Sequence, residues 1–189
     1  ALDDAAPAPT PIGVAALRRA GSDLALISYG AYVHECLRVA ETLAKEGIEA
    51  AVLDLRTLAP LDRAAVLTVA RHCGRVLVVH EDARTGGIGE SIAAIIQEEA
   101  FEWLDAPVRV LGALDTPVPY APPLEEQYLV SEAEIVQAMR LIFERLKVVI
   151  EPSAGVSAAV AFRAAELAPR GSKIGVVLSQ KKVVETMRL

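Results

Sequence analysis

Asparagine is absent from this 189-residue chain. That excludes N-glycosylation and every motif that requires an asparagine. Cysteine is scarce. Cys36 and Cys73 fall in separate helical patterns and form no CxxC pair, so they read as reduced, buried thiols of a cytoplasmic protein. Histidine occurs three times, and with two scattered cysteines the three lack metal-ligand spacing, so no metal site is expected. His34 sits beside Glu35 and Cys36 in a helical stretch. His72 ends a helix, where an imidazole meets the dipole favourably. No apolar run approaches the ~18 residues that span a bilayer, so no membrane association is expected. Neither a Rossmann fingerprint nor a P-loop occurs. The first residues, ALDDAAPAPTP, carry acid and proline instead of a basic region followed by an apolar block. Residues 1–11 therefore read as a linker and not as a secretory signal.

Apolar side chains are abundant, at 53% of the chain, enough to bury one domain or one domain with an appendage. The net charge of −6 is unevenly spread: residues 1–129 carry 10 basic and 19 acidic side chains, and residues 130–189 carry 9 basic and 6 acidic. An acidic body argues against nucleic acid as its partner. The charge step also marks a seam near Val130.

Strand-like runs at Ile12–Leu17, Leu24–Ser28, Ala50–Asp54, Val76–His80 and Val108–Leu111 alternate with helical patterns. The helices are expected at Ala31–Glu46, closed by Gly47; from an Asp62 N-cap to Cys73, stopped by Gly74; and at Ile88–Leu104, with Ile92, Ile95, Ile96 and Trp103 on one face. Asp115–Pro123 holds four prolines and reads as a loop. This alternation predicts an α/β fold, a three-layer α/β/α sandwich around a mostly parallel five-stranded mixed sheet. The first strand, joined to the second by a short turn, is expected as an antiparallel edge. An uncovered edge invites pairing with another copy, so a homo-oligomer is expected.

Ser131-x-x-Glu134 is a capping box that opens a helix. Ile135, Met139, Ile142, Leu146 and Val149 carry it to about Ile150, before Pro152. A helix at Gly155–Leu167, a strand at Lys173–Leu178 and a terminal helix at Lys181–Leu189 follow. Residues 130–189 thus read as an appended helix–helix–strand segment that shares the helix at 131–150 with a domain spanning 12–129.

Parallel sheets bind ligands at the carboxyl ends of their strands. Those ends carry Ser28-Tyr29-Gly30, Asp54-Leu55-Arg56 and His80-Glu81-Asp82-Ala83-Arg84, the last leading through Thr85-Gly86-Gly87-Ile88-Gly89 into a helix. Glycines entering a helix expose amides that can cradle an anion. His80, Glu81 and Arg84 with Gly86, Gly87 and Gly89 are therefore anion-binding or acid–base candidates. A tight loop needing glycine for its backbone geometry, with its charges solvated or facing a subunit, accounts for the same residues.

The stretches DLRTLAPLD, VVHEDARTGGIG and DTPVPYAPPLE, within residues 10–129, resemble the C-terminal transketolase-type domain. The likeness is strongest to the beta subunit of 2-oxo acid dehydrogenases of the pyruvate and branched-chain type. That resemblance implies a domain that does not itself hold thiamine diphosphate, which lies between two other domains of the parent enzyme. One of them supplies a GDG…N motif that this Asn-free chain cannot contain. The implied work is subunit assembly, shaping the active-site entrance and docking, with an alpha subunit and an acyltransferase core as partners. No catalytic role carries over to His80, Glu81 or Arg84, and no cofactor is expected on this chain.

The stretches VSEAEIVQAMRLIFERLKVVIEPSAGVSAAVAF and SKIGVVLSQ, over about residues 130–180, resemble fold-type II pyridoxal-phosphate enzymes of the serine racemase and threonine dehydratase type. In that family the final strand ends in Ser-Gly-Gly-Asn, and its serine bonds the pyridine nitrogen. Ser179 matches it, but Gln180, Lys181 and Lys182 replace the remainder, and the Schiff-base lysine and phosphate loop have no counterpart here. The two resemblances together imply a recombined or engineered chimera whose leading function is non-catalytic assembly. The alternatives are an anion-binding or enzymatic module on the His80–Gly89 loop and a residual pyridoxal-phosphate fragment.

Overall fold

The computed structural model describes residues 10–144, 173–177 and 184–188. Five strands, β1 (Ala16–Arg19), β2 (Leu24–Ser28), β3 (Ala50–Asp54), β4 (Val76–Ala83) and β5 (Arg109–Ala113), form one sheet in the order β1-β3-β2-β4-β5. β3, β2, β4 and β5 run parallel, and β1 lies antiparallel on β3. The expected α/β class and five-stranded, mostly parallel sheet are therefore present. β1 is the antiparallel edge, but its partner is β3 and not the strand that follows it.

The layers follow from alternation along β2. Leu24 and Leu26 face one side with Val52, Leu77 and Val79, under α1 (Tyr32–Ala44) and α5 (Glu132–Glu144). Ala25 and Ile27 face the other with Leu53, Val76 and Val78, under α2 (Arg63–Cys73) and α3 (Ile88–Glu99). Both faces of the sheet are covered, which is why β2 is apolar at nearly every position and buried throughout. Burying each such Leu, Ile or Val contributes about 1.5–3 kcal/mol.

Local signals set the element ends. Asp62 caps α2 by accepting from the Ala65 amide at 3.0 Å, and Gly74 closes it with φ 68. Asp62 also accepts from the Ala15 amide, and Thr57 Oγ1 accepts from the Gly13 amide, each at 3.0 Å. These side chains hold residues 13–15 in place of a ladder, so β1 begins at Ala16 and not at Ile12. β4 runs three residues past His80. The helix expected to reach Leu104 ends at Glu99, and a separate 3₁₀ turn follows at Phe101–Trp103. The stretch expected as loop at Asp115–Pro123 gives way to a short helix, α4 (Pro122–Tyr128), with proline in its first turn, where the missing N–H costs nothing.

The seam at Val130 lies within packed structure. The Tyr32 hydroxyl donates to the Val130 carbonyl at 2.9 Å, and the Ser131/Glu134 capping box closes with the Ser131 amide donating to Glu134 Oε2 at 2.8 Å. Arg38 pairs with Glu132 at 2.5 Å and Arg140 with Glu46 at 2.6 Å. Ile135, Met139 and Ile142 are buried in the core beneath α1. The chain divides into compact units after Lys147, so α5 belongs with the sheet that precedes it. In the second unit β6 (Lys173–Val177) and β7 (Val184–Arg188) pair antiparallel. β6 is the strand expected there. β7 stands where a terminal helix was expected; its Val184 and Thr186 favour extended backbone, and pairing with β6 supplies the ladder a short helix lacks. The extension of α5 to Ile150 and the helix at Gly155–Leu167 lie outside the described residues.

Limited proteolysis tests the integration of the seam. Residues 125–135 are expected to resist cleavage, and rapid cutting there would show two loosely joined parts.

Candidate functional site at the carboxyl edge of the sheet

β2 leads outward to β3, and β4 leads the opposite way to β5, so the order of strands reverses between β2 and β4. In open α/β sheets this switch point is where ligands bind. Ser28 ends β2 and His80 lies just past the part of β4 that pairs with β2. Both are fully buried; Ser28 Oγ approaches the Cys36 thiol and the His80 ring approaches the Asp82 backbone, each short of full hydrogen-bond geometry. They lie on opposite faces. Ser28 is beside Cys36 on the α1 side, where burial pushes the Cys36 thiol up to about 12. Cys73, on the α2 side, is pushed up to about 11, first by burial and then by Asp23. Both thiols are free and buried.

His80 stands on the α3 side. Tyr29 stacks on it with ring centroids 6.3 Å apart and planes 14° apart. Three glycines complete the enclosure. A Cβ on Gly89 would lie 2.6 Å from His80 Cδ2 and closer still to Nε2. A Cβ on Gly87, or on Gly112 of β5, would lie 2.8 Å from His80 Cε1. The glycines leave the space that the imidazole fills. Burial holds the His80 pKa below 6.5, and the nearby Asp82 backbone with the charges of Asp82 and Glu90 opposes that effect without overcoming it. The Tyr29 hydroxyl is shifted upward by burial, then by Asp82 and Glu81.

The loop beyond His80 is tied by its own carboxylates. Thr85 donates from its amide to Asp115 Oδ1 at 2.9 Å and from its hydroxyl to Asp115 Oδ2 at 2.6 Å. These bonds hold the Asp115 carboxyl below its ordinary range. The Gly86 amide donates to Glu90 Oε2 at 3.0 Å, at a backbone φ of 77 that favours glycine. The Arg84 amide donates to the Ala113 carbonyl at 3.0 Å. Two amides available in principle to an anion are thus engaged by Asp115 and Glu90.

The candidates therefore separate. His80, Gly87 and Gly89 are packed together, whereas Glu81, Arg84 and Gly86 are exposed. Ser179 lies outside the described residues. His34 and His72 are exposed on α1 and α2. Among the described residues, no group of three or more His, Cys, Asp or Glu side chains is placed to hold a metal ion, and no helix is long and apolar enough to cross a membrane. Asp115 and Gly112 escaped sequence reasoning because they enter from another strand. The only sequence signal was that Gly112 interrupts an apolar strand, a usual mark of close approach.

The fold is an α/β module with a packed strand end at its switch point, and comparison with known proteins assigns its family. Residues 13–135 match the family model for the transketolase C-terminal domain, and the chain belongs to that family. It is 44% identical over 135 residues to the 2-oxoisovalerate dehydrogenase subunit beta of Bacillus subtilis, covering 71% of this chain and 41% of that protein. It is 37% identical over 137 residues to the mitochondrial pyruvate dehydrogenase E1 component subunit beta of Dictyostelium discoideum, covering 72% and 38%. A solved structure described as a split gene transketolase, inactive beta4 tetramer, superposes with a TM-score of 0.63 at 27% identity, covering 72% of this chain and 43% of that one. The chain thus spans about two-fifths of the length of these relatives and is homologous to the C-terminal region of the beta subunits.

Gly112→Ala is expected to destabilise the protein by about 1–3 kcal/mol, the usual cost of overpacking, because the added methyl meets His80, Asp82 and Arg84 at once. Urea denaturation checks this, and an unchanged midpoint would show that the cage is loose.

Proposed function

We propose that residues 13–135 act as an assembly and docking domain without an active site of their own. The observation that carries this reading is a run of exposed apolar side chains on one rigid segment. Leu114 (56% exposed), Val118 (68%), Tyr120 (103%) and Leu124 (54%) project from a stretch stiffened by Pro117, Pro119, Pro122 and Pro123. Lone exposed apolar residues are ordinary, but a cluster with a protruding aromatic is characteristic of interfaces. A stiff segment loses little entropy on binding, which favours the same role. The matched relatives are themselves named as beta subunits, and one solved relative as a beta4 tetramer. Homo-oligomerisation is the first expected association. An alpha subunit and an acyltransferase core are the further partners that the family resemblance implies.

Thiamine diphosphate, the parent enzyme's cofactor, does not fit the residues present. The chain has no asparagine for a GDG…N motif, and the Thr85 and Gly86 amides are bound to Asp115 and Glu90. An anion-binding or enzymatic module using Glu81, Arg84 and Gly86 would have to displace those two carboxylates first, which makes it the weaker reading. Pyridoxal-phosphate binding through Ser179 rests on sequence resemblance alone. The chimera reading draws support from the charge step at Val130 and from a helix start that both families share; α5, packed on α1, is the element in which such a splice would lie.

Sedimentation velocity tests the assembly role. The chain is expected to associate at micromolar concentration, and Val118→Asp with Tyr120→Asp is expected to weaken association at least tenfold while the fold persists. A monomer at all concentrations, together with 2-oxo acid turnover by this chain alone with thiamine diphosphate, would overturn it.

A further inference from the structure

We propose that His80 is a buried proton switch: neutral, it holds the loop from Glu81 to Glu90 closed, and protonated, it releases that loop. The inference is independent of the assembly role. The imidazole is fully buried, and its polar approach within the described protein is to the Asp82 backbone, short of full hydrogen-bond geometry. An imidazolium carries two N–H donors and a charge, and burying it with one weak backbone approach and no full partner is costly. Gly87 is the N-cap of α3 and Gly89 lies in its first turn, so the ring rests against the positive end of that helix, which further disfavours a cation.

Every element packed on the ring adds a defined influence. β2 contributes the Tyr29 ring, which stacks on it. β5 contributes Val110 and Gly112, both uncharged and both at the glycine contacts. β4 contributes Glu81 and Asp82, and α3 contributes Glu90; Arg84 follows β4, with its backbone beside Gly112. The three carboxylates are the counter-ions an imidazolium needs, yet all belong to exposed residues and one is bound to the Gly86 amide. The ring reaches them only by leaving its cage, which separates it from Gly87 and Gly89 and frees the start of α3.

The sign of the linkage follows from burial, which lowers the folded-state pKa of His80 below 6.5. The neutral ring's stabilisation is complete above the unfolded value near 6.5. It is lost as pH falls below that value and through the folded value. The device therefore acts on the acid side of neutrality. Its output is the exposed strip of Glu81, Arg84 and Gly86 at the carboxyl edge of the sheet.

The test follows the His80 ring resonances and the amide exchange of residues 81–90 in the full 189-residue chain by NMR between pH 8 and 4.5. His80 is expected to titrate below 6.5. Protection of the 86–90 amides, corrected for intrinsic exchange, is expected to fall at least tenfold across the same titration, while Val66–Ala70 in α2 stay protected. His80→Phe, which keeps a ring in the cage, is expected to abolish the pH-linked loss. Titration at or above 6.5, protection that stays level through the titration, or a folded His80→Phe that still releases the loop would each overturn the proposal. If His80→Phe fails to fold, the wild-type titration decides.

Discussion

The close approach of His80 to Gly87, Gly89 and Gly112 is the contact on which the rest of this domain's functional edge depends. It joins β4 to the start of α3 and to β5, beside the ladder, the apolar core and the Arg84–Ala113 and Thr85–Asp115 bonds. With the ring in place, β4 can run on to Ala83 and the loop can turn back through Gly86. Thr85 then reaches Asp115 at 2.9 Å, closing the edge. A side chain larger than hydrogen at any of the three glycines would push the ring or the strand aside.

The polar groups at the switch point do not form one cluster. The buried polar groups at the ends of β2 and β4 face opposite layers, Ser28 towards Cys36 and His80 towards α3, so they do not converge on one reacting atom. The Thr85 and Gly86 amides, in the loop before α3, are bound by Asp115 and Glu90. Outward, the edge presents the side chains of Glu81 and Arg84 and the proline-rich segment bearing Leu114, Val118, Tyr120 and Leu124.

Much of the fold was legible from the sequence because both faces of the sheet are covered. β2 and β3 are short runs, apolar up to their last residue, with clear boundaries, and α2 announces itself with Asp62 and Gly74. The misreadings arose where tertiary partners overrule local pattern. Residues 12–15 look strand-like but are held by Thr57 and Asp62. Four prolines suggested only loop, although two of them begin α4. Residues 184–188 form a strand because β6 lies alongside. At the site, the glycine run was visible, but sequence alone left open whether it served an anion or a packing need. That choice depends on Gly112 and Asp115, which lie over twenty residues away and approach only in the folded sheet.

A double-mutant cycle between His80 and Gly89, read by urea denaturation, tests the central contact most directly. Gly89→Ala should destabilise the native chain by about 1–3 kcal/mol but cost much less in a His80→Ala background, where the methyl enters space the ring has vacated. The account predicts a coupling energy of about 1 kcal/mol or more. Additive effects of the two substitutions would contradict it, because the glycine would then be required by something other than the histidine.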